Sequence, residues 1–94
     1  YFSGLGMSYS LAGQHEEGIK WCQKAVRQEP DSYIDRIFMI AVYSMAGRVE
    51  DARSEVPDLL RINPNFSLAA VEKRAKYKYK DKMIKALRKA NLPE

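Results

Sequence analysis

Residues 75–82, AKYKYKDK, interleave lysine with tyrosine near the end of the chain. Those types at that spacing can do one kind of chemistry: ammonium groups follow a phosphate backbone while rings stack on bases. Lys76, Lys78, Lys80 and Lys82 are therefore candidate contacts for an anionic partner. The competing reading lays the tyrosine rings on a folded cap and leaves the lysine heads in water. This second reading is the stronger, and nucleic acid is the weaker candidate partner. Charge is uneven along the chain: residues 1–65 carry seven Lys/Arg against nine Asp/Glu, and residues 66–94 carry nine against three. Such asymmetry can mark a tail that meets an anionic surface.

Other reactive types are sparse. Cys22 is the only cysteine and His15 the only histidine. One cysteine forms no internal disulfide, and a Cys/His pair seven residues apart falls short of the four ligands zinc usually takes. Glu16, Glu17 and the serines have no arranged base or nucleophile beside them. No catalytic, cofactor-binding or metal-binding residue is expected, and the chain is not expected to be an enzyme by itself.

What positions these residues must be one small domain, since 94 residues build a single core. No apolar run approaches the roughly 20 residues that span a bilayer, so membrane insertion is not expected. A lone cysteine and no secretion signal suggest the cytoplasm. The chain opens at Tyr1 inside an amphipathic pattern, as a piece of a longer protein would.

The pattern is helical. Gly13 separates two apolar periodicities, where a left-handed residue ends a helix without a Cβ clash. Gly18, Ile19, Cys22, Ala25 and Val26 then recur at three- and four-residue spacing, one stripe of a helix. Pro30 stops that helix and Asp31 is expected to cap the next. Ile34 to Met45 is apolar on nearly every side, as in a helix sandwiched between neighbours. Pro57 falls inside the expected return helix, residues 49–62, and predicts a kink near residues 53–57, offset by burial of Val56, Leu59, Leu60 and Ile62.

Landmarks recur at an offset of 34: Tyr9 with Tyr43, Gly13 with Gly47, Gly18 with Ala52, Cys22 with Val56, Ala25 with Leu59, Pro30 with Pro64. That period and the run Phe2-x-x-Leu5-Gly6-x-x-Tyr9, then Gly18, Cys22, Ala25 and Pro30, resemble the tetratricopeptide repeat. Phe2 stands where that family favours Trp and Cys22 where it favours Phe. The second unit departs further, with Arg36 for the opening aromatic and Ile40 for a small residue. The resemblance implies an all-α fold, a right-handed superhelix of antiparallel helix pairs, with repeat one at 1–30, repeat two at 31–64 and a helical cap at 65–94. Leu5, Tyr9, Tyr43 and Val56 would share its interior.

In the tail, Leu68, Val71 and Ala75 suggest a helix over 67–76. Asp81 is expected to cap a second helix carrying Met83, Ile84 and Leu87, which ends near Ala90 with Asn91 left-handed. The segments Asn63-Pro64-Asn65-Phe66-Ser67-Leu68, Tyr79-Lys80-Asp81 and Leu87-Arg88-Lys89-Ala90-Asn91-Leu92-Pro93 resemble the tail that follows the repeats in bacterial class III adenylate cyclases and TolB-like or winged-helix regulators. That resemblance concerns a parent protein; no cyclase domain lies in this chain.

By resemblance to the repeat family, the concave face is the binding surface, and Met7, Ile34, Ile37, Phe38, Ala41 and Met45 line it here. It lacks the Lys, Arg and Asn with which some members hold a peptide carboxylate. An apolar groove with adaptable methionines suits a helix, whether the chain's own cap or a partner protein or peptide. Upstream repeats of the same chain would cover the first hairpin's open flank, which otherwise could form a homodimer. Trp21 lies off the buried stripe and is a candidate surface contact.

Overall fold

Apolar stripes punctuated by Gly and Pro stops make helices joined by short turns. The computed structural model describes residues 2–74 and 78–94, and among them every regular element is helical. They are α1 (Phe2–Leu11), α2 (His15–Gln28), α3 (Tyr33–Met45), α4 (Val49–Ser54), α5 (Val56–Ile62), α6 (Leu68–Arg74) and α7 (Lys80–Lys89).

Gly13 ends α1 as expected, at φ +86°. The Gln14 N–H donates to the Tyr9 carbonyl at 2.9 Å and Gly13 N–H to that of Ser10 at 3.1 Å, satisfying carbonyls the helix leaves open. The same bonds recur 34 residues on: Gly47 has φ +81°, Arg48 donates to Tyr43 at 2.9 Å and Gly47 to Ser44 at 3.1 Å. The far ends of the hairpins match as well, with Glu29 N–H on the Ala25 carbonyl at 3.0 Å and Asn63 N–H on that of Leu59 at 2.8 Å.

Helix α1 folds back on α2, Ser10 lying against Gly18 and Gly6 against Cys22. A Cβ at Gly6 would stand 2.6 Å from the Gly18 carbonyl oxygen and against Cys22 Sγ; one at Gly18 would stand 2.7 Å from the Gly6 oxygen and against Ser10 Oγ. Backbone meets backbone here because both residues lack a side chain. Next, α3 pairs with α4 and α5, and it also touches α1, α2 and α7. Eight consecutive α3 residues, Ile37 to Ser44, are buried, as the all-round apolar pattern implies.

Three expectations need correcting. Ser32, not Asp31, caps α3, its Oγ accepting from the Asp35 N–H at 3.3 Å; Ser32 stands immediately before Tyr33, the first helical residue. The kink expected near residues 53–57 is there, at Glu55, whose backbone stays in the right-handed helical region. Helix α4 ends at Ser54, Glu55 makes a short bond to the Ala52 carbonyl, and Pro57 opens α5 in the first turn, where its missing N–H has no partner to lose. Of the four residues expected to offset it, Leu59 is fully buried and Val56, Leu60 and Ile62 are half-buried. The interior is not built from Leu5 and Tyr9, which are half-buried and outside the main core cluster; Tyr43 is buried and Val56 packs against that cluster. Its most deeply enclosed large side chains include Met7, Cys22, Ile40, Leu59, Leu68 and Leu87. Finally, Tyr79 rather than Asp81 precedes α7, and Asp81 is an exposed first-turn residue.

The tail closes as its own hairpin. Asn91 ends α7's turn at φ +62°, and the chain returns to α6. Leu68 N–H donates to the Pro93 carbonyl at 2.7 Å and Ala69 N–H to that of Glu94 at 2.8 Å. Ser67 Oγ takes the Ala70 N–H at 3.1 Å, so the start of α6 is satisfied by both a side chain and the chain's last residues. The two outer segments of the tail pattern thus meet in space. Helix α6 runs Leu68–Arg74; the expected continuation to residue 76 lies outside the described residues.

Candidate functional site

The six residues expected to line a concave groove divide sharply. Met7, Ile37, Phe38 and Ala41 are buried at 6% exposure or less, within the core cluster that also takes Met83, Ala86 and Leu87 of α7. The face they form is covered within the chain, and a partner reaches it only if α7 moves. Met45 is half-buried, and Ile34 is 49% exposed. Burial of the other four is what sandwiching α3 between two hairpins and the tail requires.

Ile34 borders a cleft of about 250 Å³ between the start of α3, the 63–67 turn and α6. Tyr33, Ile37, Phe38, Phe66, Val71 and Met83 supply apolar walls, while Asn63, Asn65 and Arg74 supply polar groups. The cleft exists because Pro64 ends the second hairpin and the chain must turn before α6, leaving the first turn of α3 uncovered. Phe66 was part of the tail pattern, yet nothing in its local spacing says that it would face Ile34 across the turn.

Arg36, placed where the repeat family has an aromatic, is 11% exposed along its side chain and is tied three ways. Its Nη1 lies 3.1 Å from Glu55 Oε1 and 3.5 Å from Asp58 Oδ2, and its Nη2 donates to the Pro30 carbonyl at 3.2 Å. One guanidinium fork therefore joins the α2–α3 turn to the α4–α5 break, a role its planar donors suit better than lysine's. This is structural work rather than chemistry on a substrate.

The tail lysines are not one surface. Lys76 lies outside the described residues. Lys78 is exposed, Lys80 Nζ donates to the Glu72 carbonyl at 3.2 Å, and Lys82 lines a second cavity. Trp21 stacks on Phe2, ring centroids 5.4 Å apart, with the Lys24 ammonium 5.3 Å above it. Its surface is thus partly spent inside the first hairpin.

Cys22 is fully buried beneath α1, with Sγ 3.9 Å from the Ser3 carbonyl. Burial, and secondarily the Asp35 carboxylate, pushes its thiol up to about 12, the opposite of what a nucleophile needs. Among the described residues no group of three metal-ligating side chains gathers, and no helix is long and apolar enough to cross a membrane. No family model matches this chain, and neither does any curated protein.

Proposed function

We propose that this chain is a non-catalytic protein-interaction module of the tetratricopeptide type: two helical hairpins stacked as the start of a right-handed superhelix and closed by a two-helix cap. The recurrence of the same turn and helix-end bonds 34 residues apart supports the repeat. The meeting of residues 63–68 with the chain's last residues supports reading the tail as a single capping unit. On the resemblance of that tail, the parent is a bacterial signalling protein such as a class III adenylate cyclase, with this region regulatory and cytoplasmic.

The single observation that carries the binding role is Ile34, half exposed at the mouth of an apolar cleft in an otherwise well-buried set of large hydrophobic residues. The occupant is a segment of a partner protein that inserts one bulky apolar side chain there, with a carboxylate placed for Arg74. Selection from a displayed random peptide library tests this. Peptides carrying an apolar anchor should enrich, and Ile34→Asp should weaken them at least tenfold while leaving the melting midpoint nearly unchanged. Peptides that bind the variant equally well would refute the cleft as the site.

A further inference from the structure

We propose a second, separate site: a pocket for a terminal phosphate group where α7 crosses the hairpin turn of α1–α2 and the end of α3. The cavity there is about 360 Å³, within the range of small-molecule sites. Ser10, Ser44 and His15 line it, and each holds a buried polar atom with no hydrogen-bond partner: two hydroxyls and the imidazole Nδ1. Ser10 and Ser44 are only 2% and 3% exposed. A buried polar atom left unpaired costs about 1–3 kcal/mol, and a ligand in the cavity gains these three once the side chains turn toward it, Ser10 Oγ leaving its place against Gly18.

Lys82, Lys85 and Lys89 of α7 line the cavity too. Their three- and four-residue spacing places them on one stripe of α7, while Met83, Ile84 and Leu87 bury the other. None of the three ammonium groups is in an ion pair among the described residues. No carboxylate lines the cavity among the described residues.

Three cations, two hydroxyls and an imidazole match a group of about two negative charges with several acceptor oxygens, which is a phosphate monoester or inorganic phosphate. A carboxylate has half the charge and fewer acceptors. A phosphodiester backbone has one charge per unit and would follow an open surface rather than fill a recess bounded by buried hydroxyls. Binding would join α7 to both hairpins and so hold the cap closed.

Titration with inorganic phosphate at constant ionic strength, followed by amide chemical shifts of labelled protein, tests the proposal. Shifts should concentrate at Ser10, His15, Ser44 and Lys85. Lys82→Ala with Lys85→Ala should weaken binding at least tenfold, whereas the charge-matched pair Lys73→Ala with Lys78→Ala should change it less than twofold. Ser44→Ala should weaken binding several-fold without touching net charge. Equal losses in the two lysine pairs, shifts spread along every lysine, or no saturable shift would overturn the site. A short oligonucleotide that binds tighter per phosphate, through the same three lysines, would overturn the terminal-phosphate assignment.

Discussion

Alanine at two neighbouring glycines of α1 should act with opposite sign. At Gly4 an added Cβ meets nothing within 4 Å. The substitution then gains helix propensity, at most about 1 kcal/mol and less near a helix start. At Gly6 the same Cβ falls 2.6 Å from the Gly18 carbonyl oxygen and 3.2 Å from the Cys22 nitrogen. These are backbone atoms of α2, so no rotamer change relieves them and the two helices must separate. Overpacking of this kind costs about 1–3 kcal/mol, and the propensity gain offsets about 1 of it. Gly6→Ala should therefore lose up to about 2 kcal/mol, lowering the midpoint by up to roughly 16 °C at about 4–8 °C per kcal/mol for a domain of this size. Gly4→Ala should hold or raise it. Urea and thermal unfolding followed by circular dichroism measure both. Gly18→Ala should resemble Gly6→Ala, and the double variant should cost less than the sum, since one separation of α1 from α2 serves both. If Gly6→Ala were more stable than the parent, as Gly4→Ala is expected to be, the close approach of the two helices would be wrong, and the strongest packing argument for the repeat would go with it.

Three further outcomes probe the tail and the core. Leu87 is fully buried on α7, so Leu87→Ala should cost about 2–5 kcal/mol in urea unfolding; a loss below about 1 kcal/mol would mean that α7 is not integral to the fold. Cys22 should react with a thiol reagent only on unfolding. Its folded thiol sits at about 12 against an ordinary 9.0, so the folded state holds the proton more tightly. That stabilisation is complete below about pH 9 and is lost as pH rises toward 12, at up to about 1.4 kcal/mol per pH unit. The extra alkaline loss should vanish in Cys22→Ala, and identical pH profiles for the two proteins would refute it.

Much of the helical frame was legible along the chain because local rules set it. Gly13 ended α1 in the left-handed region, as did Asn91 after α7, and Pro57 bent the return helix where it was expected to. Caps were harder: Ser32 and Asp31 are adjacent, both can cap, and the difference between them is smaller than pattern reading resolves. The groove illustrates a deeper limit. Met7, Ile37 and Phe38 are spaced as a binding face, but the same spacing is what a covering helix needs, and α7 takes it. Likewise the lysines of the Lys-Tyr run are neighbours in sequence, whereas the cavity draws on Lys82, Lys85 and Lys89, neighbours on a helix.

By itself the sequence determined an all-helical chain with stops at its Gly and Pro residues, a spacing of 34 between like turns, and a basic tail. These follow from backbone sterics and apolar periodicity, which act over a few residues. Tertiary structure alone decided that the tail returns to cover α3, that Arg36 joins two distant turns, and that Ser10, Ser44 and three lysines share one cavity. Each of those depends on contacts between residues far apart in the chain, where many arrangements satisfy the same local pattern and only the packing of all the hairpins together selects one.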